Sequence, residues 1–561
     1  MARQILASRS EFSQRTRAYN LARLRAELFD VVVIGGGIVG AGIAREAVLR
    51  GYKVALVEKN DFASGSSSQS SKLLQSSIRH LENLQLPQMY QAGLERDRLL
   101  RMAPTLTWPM PFLYPIHRNG PYAPERVNQG LWAYDALAFL GIGRRHHMLT
   151  AAQTTAAAPE LDAAQIAGGG EYFEAQMDDA RLTLETVRAA YRHGAVIVNH
   201  FQIVELLRSA GKRIDGVLGH DLVANEYVSI RARVVVNAAG PWAELVLALD
   251  DPRYKPRWLT AKGVHLVIPH ARFPVQQVIS FVVPNDGHLM YVMPRDGGYT
   301  LIGTTASEYT GDLDQVHATP EDVDYILGAV NAEFPRLQLG LSDVVSTYAG
   351  VWPHLAPEAY GSLPMLARDY DIWVTPSGLV NIAGGRFTIH RVMAQDLVVR
   401  LDKILRRDFG VRPAHSSQSA RLPLLEWSGK GEVLTRAQSE TLDSLPQATR
   451  DYFARTYGVR QGRVLDYIRG DSKLRAPIVD GFPYLWAEVP HAIEHEMAIT
   501  VDDIMMRRLD LFHQVPDGAV EAAQEVGRYM SRLVDWLDPD IDHQIMVYDQ
   551  AVAMNRQALH G

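Results

Sequence analysis

The feature that most constrains this chain is a glycine turn set between two short apolar strands. Residues 29–34, FDVVVI, form a β-branched run that stops at Gly35-Gly36-Gly37-Ile38-Val39-Gly40. A helical pattern follows through Arg50, Gly51 supplies the C-terminal stop, and a second apolar run ends at Glu58. Strand, tight turn, helix and strand within about 30 residues make a βαβ unit. Gly35 suits the tight turn, Gly37 the approach of a pyrophosphate to the backbone, and Gly40 close helix–strand packing. The helix N-terminus then favours negative phosphates. Glu58, eighteen residues after Gly40, is placed to accept hydrogen bonds from a ribose and disfavours a 2′-phosphate.

The serine-rich stretch Ser64 to Lys72, just beyond Glu58, has the composition of a linker. It leads directly into an apolar-periodic segment, so we read it as a polar loop inside the domain. From about Leu84 to Gly170 the pattern is mostly helical with proline-containing loops. Residues 171–240 return to strands and helices and end in a buried strand that breaks at Gly240-Pro241. Short runs between 260 and 350 (HLVIP, VISFVVP, LMYVMP, YTLIGTT) predict an antiparallel sheet. Near Leu379 a strand, LVNIAGG, ends in Gly384-Gly385 and opens a helix, and after Leu422 the pattern is helical almost throughout. An early βαβ unit for an ADP moiety, with a late glycine turn suited to an isoalloxazine, favours FAD over NAD.

With 561 residues, more than one hydrophobic core is expected. The chain contains no cysteine, which excludes disulfides, thiolate zinc sites, iron–sulfur clusters and a dithiol redox pair. Any redox chemistry therefore rests on a bound group. A formal net charge of −6 argues against a general nucleic-acid binder. No run approaches the roughly 20 apolar residues of a membrane span. The arginine-rich segment 1–28 has no apolar core of a secretory signal and predicts a solvated leader helix packed on the domain.

Two patterns resemble sites without being read as such. His495-Glu496 begins like a zinc-protease motif, but Ile499 stands where the second histidine belongs, and no metal site is predicted. Asp178-Asp179 looks like an acid pair, yet it precedes Arg181 and Leu182 at a helix start, where acids favour the positive dipole end.

The ordered motifs FDVVVIGGGIVGAGIAREAVLRGYKVALVEKNDFASGSSSQSSKLLQ, YFEAQMDDARL, VVNAAGPW, KGVHLVIP, LIGTTASEYTGD, RDY and EVPHAIEHEMAITVDDIMMRR resemble the FAD-dependent glycerol-3-phosphate dehydrogenases, within the D-amino-acid-oxidase-like flavoproteins. The resemblance runs from about Phe29 to the C-terminus. It implies an α/β architecture: a Rossmann-type FAD-binding domain, an antiparallel-sheet substrate domain and a C-terminal all-α domain. In these terms residues 1–28 are the leader helix, 29–420 the interleaved FAD and substrate regions, and 421–561 the helical domain. The FAD part lies mainly in 29–110, 171–245 and 345–405, and the substrate part mainly in 246–344.

The family oxidises glycerol 3-phosphate to the ketone by hydride transfer to the flavin and passes the electrons to a quinone. The resemblance implies His265 as the base, with Arg79, Arg368 and Arg386 as anion-holding positions. It implies Gly35, Gly37, Gly40, Glu58, Lys59, Ser66, Ser70, Ser71, Lys72, Ala239, Gly240, Gly385 and Thr388 as cofactor-binding positions. It also implies self-association and a cytoplasmic location, peripheral on the inner face of the membrane.

The substrate end departs from the family pattern. His-Gly-Gly-x-Arg-Tyr-Leu stands here as Gln75-Ser76-Ser77-Ile78-Arg79-His80-Leu81, and Gly-Val-Arg-Pro as Gly350-Val351-Trp352-Pro353. Gly-Gly-Lys-x-Thr-Thr stands as Gly384-Gly385-Arg386-Phe387-Thr388-Ile389, and Gly-Thr-Thr-Asp as Gly303-Thr304-Thr305-Ala306. Arg386 offers phosphate a planar fork, whereas Trp352 replaces a charge with a ring. The substrate is accordingly expected to be glycerol 3-phosphate or a related phosphorylated polyol. The alternative expectation is a different hydroxy or amino substrate, with O2 as a candidate acceptor.

Overall fold

The computed structural model describes residues 12–76, 85–138, 144–209, 211–256, 258–295, 297–355, 370–424, 434–534 and 536–559. Two sheets carry the fold. The first runs in the order Tyr370–Val374, Val380–Gly384, Glu226–Asn237, Leu28–Ile34, Val54–Val57, Val196–Val198. Leu28–Ile34 pairs in parallel with both Glu226–Asn237 and Val54–Val57. Its central strands Leu28–Ile34 and Val54–Val57 are buried on both faces, as parallel strands are where helices cover them. Ile38–Leu49 packs against Asp179–Arg192 and His390–Phe409 on one side.

The leader helix is Gln14–Ala26, capped reciprocally by Ser13 and Thr16. Its Arg17 is buried, donating to Asp221 Oδ1 at 2.6 Å and to the Asn199 carbonyl at 2.7 Å. Asn20 donates to the Ile197 carbonyl at 2.9 Å. The segment is therefore packed on the domain, and part of its basic character is satisfied inside the protein.

The second sheet holds the antiparallel strands expected between 260 and 350: Trp258–Pro269, Val278–Val282, Leu289–Arg295 and Tyr299–Gly303. It also holds strands that the sequence reading placed elsewhere. Thr107–His117, read there as part of a helical region with proline loops, is an eleven-residue strand paired with Ile166–Met177. Its prolines, Pro109, Pro111 and Pro115, all fall on odd positions, so the missing N–H groups lie along one edge and the other edge keeps its ladder. Ser346–Leu355 pairs along Trp258–Pro269. Segments assigned from sequence mainly to the FAD region thus pair into the second sheet, because pairing partners far apart in the chain decide membership.

After residue 434 the structure is helical, with its own cores around Phe453 and Met505. This part docks through buried charges. Arg181 pairs with Glu496, and Asp61 accepts from Arg507 Nε at 2.6 Å and Arg508 Nη1 at 2.7 Å. Among the described residues no helix is long and apolar enough to cross a membrane.

Candidate active site

The glycine turn has the geometry that its spacing predicts. Gly35 sits at φ 110°, in the left-handed region, and a Cβ there would lie 2.5 Å from the Ala238 carbonyl oxygen. A Cβ on Gly40 would lie 2.0 Å from the Gly35 carbonyl oxygen, so only glycine lets the helix touch the turn. Gly37 is the N-cap, and Ser67 Oγ accepts the Ile38 amide at 2.9 Å. Glu58 Oε2 accepts from the Gly36 amide at 2.6 Å and Oε1 from the Asn60 amide at 2.8 Å. Burial holds its carboxyl above the usual range, partly opposed by the Asn60 and Gly36 amides.

This cradle opens into a cavity of about 960 Å³. The volume lies at the upper end of the range for ligand sites, enough for a dinucleotide with a small molecule beside it. Its wall includes Gly35, Gly37, Glu58, Lys59, Ser66, Ser70, Ser71, Ala239, Gly240, Gly385, Thr388, His265 and Arg386. Thirteen sequence-predicted positions, drawn from six separate stretches, therefore meet at one surface. Arg79 and Arg368, and His80 beside the first, lie outside the described residues.

Two predicted positions are not on that wall. Gly40 is beneath it, in the helix packing just described. Lys72 is buried, and its ammonium donates to Asp179 Oδ1 at 2.7 Å and to the Ser68 carbonyl at 3.0 Å. The backbone turns at Lys72, φ 56°, and carries the side chain behind the loop. Lys59 reaches the wall but is paired with Asp314 at 2.5 Å, an acid that also accepts from Trp242 Nε1.

Asp178 is the N-cap of Asp179–Arg192, accepting from the Arg181 amide, in keeping with a helix-start role. Asp179 does more: one oxygen takes Lys72, and the other takes the Ser70 hydroxyl at 2.7 Å. It clamps the serine loop from below. Sequence reading missed that role, since the partners are 107 and 109 positions apart. It also missed Ser67, whose only signal was its place in the serine run. Glu496, of the zinc-like motif, is used by Arg181.

His265 stands on Trp258–Pro269, opposite Gly303 on one side and Tyr348 on the other. It is 2% exposed. A Cβ on Gly303 would lie 2.5 Å from His265 Cδ2, so the imidazole rests against bare glycine backbone. Burial, with the Lys72 charge nearby, pushes the imidazole down to about 3. The ring is therefore neutral at ordinary pH, and its burial makes it a weaker base than an exposed imidazole. Half-buried Arg386, at the turn after Val380–Gly384, brings a cation to the same cavity. Trp352 and Ala306, two of the departures from the family pattern, also line it.

Residues 30–400 match the family model of the FAD dependent oxidoreductases, and residues 413–540 match the C-terminal domain of alpha-glycerophosphate oxidase. The chain belongs to the FAD dependent oxidoreductase family. It is similar to proteins named aerobic glycerol-3-phosphate dehydrogenase. That of Staphylococcus aureus (strain USA300) is 33% identical over 555 residues, covering 96% of each chain. That of Staphylococcus haemolyticus is 34% identical over 493 residues, 86% of this chain and 87% of the relative. The crystal structure of glycerol-3-phosphate dehydrogenase from Bacillus halodurans, complexed with FAD, superposes with a TM-score of 0.79 at 29% identity, covering 97% of this chain and 98% of that one. L-alpha-glycerophosphate oxidase from Mycoplasma pneumoniae shares the fold, with a TM-score of 0.52 at 18% identity over 67% of this chain and 94% of that one.

The cofactor of this oxidoreductase is FAD, and the residues present fit it: a cradle at Gly35 and Gly37, an acid at Glu58, and a hydroxyl-lined wall beyond. When bound, FAD supplies a two-electron acceptor for hydride. Glu58→Ala removes an acceptor at the cradle. It is expected to weaken FAD binding by roughly 10–150-fold, the loss of about 1.5–3 kcal/mol from a charge-assisted hydrogen bond. Flavin absorbance against protein concentration after dialysis measures it.

Proposed function

We propose that this flavoenzyme oxidises sn-glycerol 3-phosphate, or a related phosphorylated polyol, to the ketone, and that a quinone takes the electrons. The observation that carries this reading is one cavity shared by the dinucleotide cradle, the neutral buried His265 and the guanidinium of Arg386. The relatives' names agree with that chemistry. His265 accepts the hydroxyl proton, and Arg386 holds the phosphate with its planar fork. An anionic substrate raises the imidazole from its depressed value, so the base strengthens when substrate is in place. The chain has no thiols, so the electrons leave the flavin directly for an outside acceptor. Peripheral attachment to the cytoplasmic membrane and self-association belong to the same proposal.

Arg386→Ala is expected to raise KM for glycerol 3-phosphate by roughly 10–100-fold, in line with one lost charge-assisted contact. Steady-state kinetics with a soluble quinone analogue measures this, and an unchanged KM overturns the phosphate role. One observation favours a second reading: Trp352 presents a ring to the cavity where the family pattern carries an arginine. In that reading a different hydroxy or amino compound is oxidised with O2 as acceptor, and hydrogen peroxide forms at the turnover rate.

A further inference from the structure

Beside His265 stands a hydroxyl that the proton-abstraction scheme leaves unused. Ser71 Oγ is 2.9 Å from His265 Nε2. Both residues line the cavity, but Ser71 is half-buried whereas His265 is 2% exposed. The serine therefore stands at the surface of the cavity and the imidazole sits behind it. His265 Nδ1 has no hydrogen-bond partner among the described residues, which makes the serine contact the feature that orients the ring.

The pair is held from both sides. Ser70 and Lys72, which flank Ser71, are tied to the same Asp179 carboxylate at 2.7 Å each. The Lys72 amide also donates to Ser70 Oγ at 2.9 Å. Lys72 Nζ lies 4.6 Å from the ring centre of Tyr348, the cross-strand partner of His265. The Tyr348 hydroxyl donates to Asp510 at 2.8 Å, so the helical domain anchors the strand beside His265. Gly303 leaves room for the imidazole on the other side. Such a scaffold fixes a hydroxyl within reach of a base, as proton transfer requires.

We propose that Ser71 is a catalytic residue that relays the substrate proton to His265. The proposal rests on the reading of the site as a hydroxyl-oxidising one. The substrate O–H bond breaks and its proton passes to Ser71 Oγ. The proton already on Ser71 passes to His265 Nε2, and the hydroxyl is regenerated. The carbinol C–H bonding pair leaves as hydride to the flavin, and the carbon–oxygen double bond forms. His265 ends as imidazolium. The scheme requires the ring proton of resting His265 to be on Nδ1, with Nε2 accepting from Ser71.

The test compares Ser71→Ala, Ser71→Thr and His265→Ala holoenzymes in anaerobic single-turnover reduction by glycerol 3-phosphate. In flavin-loaded Ser71→Ala the limiting rate falls roughly 100-fold, and Ser71→Thr restores most of it. Spectra of 15N-histidine-labelled holoenzyme, with His265 assigned by its loss in His265→Ala, show an unprotonated, hydrogen-bonded Nε2. A Ser71→Ala limiting rate equal to wild type while His265→Ala is slow overturns the relay and leaves the base in place. Equal rates in all three overturn the underlying reading. Loss of flavin in Ser71→Ala assigns the serine to the cofactor instead, and a protonated Nε2 also contradicts the relay.

Discussion

His265→Ala retains bound flavin but slows its reduction by glycerol 3-phosphate roughly 10²–10⁴-fold, the contribution of a positioned general base. The residue sits on the second sheet, and its side chain is no part of the glycine cradle, so cofactor content is untouched. Its burial depresses the imidazole to about 3, well below an ordinary histidine. Protonation of the free enzyme at this residue therefore begins only far below pH 6.5. The base is present in its working form from acid to neutral pH, and no activity loss near pH 6.5 is assigned to it. Flavin bleaching followed after anaerobic mixing measures the effect, and a rate equal to wild type removes His265 from the chemistry.

The largest effect on stability comes from Asp61→Ala. Asp61 is fully buried and accepts from Arg507 Nε at 2.6 Å, from Arg508 Nη1 at 2.7 Å and from Arg508 Nη2 at 3.1 Å. Arg508 retains the Glu496 carbonyl at 3.0 Å, and Arg507 retains Asp503 at 2.7 Å. Arg508 also keeps the Glu496 carboxylate at 3.4 Å, so removing the shared acid takes one of two counter-charges from each buried guanidinium. Removing one partner from a buried ion pair costs about 3–5 kcal/mol, because the remaining charge stays out of water. The cost falls on the contact between the helical domain and the segment after Glu58. Thermal unfolding of Asp61→Ala is expected to show a lowered midpoint, with the helical part released first in limited proteolysis. A midpoint equal to wild type contradicts the assigned role.

The parts of this molecule legible in its sequence are those whose physics is local. Gly35, Gly37, Gly40 and Glu58 act within one turn, one helix and one strand, so their spacing alone describes the cradle. Of the four antiparallel strands between 258 and 303, the first runs on through Gly263, and the other three form close to the Pro and Gly breaks. Thr107–His117 is hidden because three prolines weaken any strand signal, and the pairing that tolerates them comes from residues 166–177. The family resemblance implies Lys72 as a cofactor-binding position. In the structure its ammonium is held by Asp179, 107 positions away. Asp61 and its arginines are separated by 446 and 447 positions, beyond any local pattern. The Ser71–His265 contact spans 194 positions and exists only with the loop folded onto the sheet.

The central claim is that this cavity oxidises glycerol 3-phosphate. Anaerobic rapid mixing of the flavin-loaded enzyme with glycerol 3-phosphate tests it most directly, with flavin absorbance as the readout. The account predicts complete bleaching in a single turnover, at a rate at least equal to steady-state turnover with a quinone acceptor. A flavin that stays oxidised with glycerol 3-phosphate, yet is bleached by another hydroxy or amino compound, would contradict it.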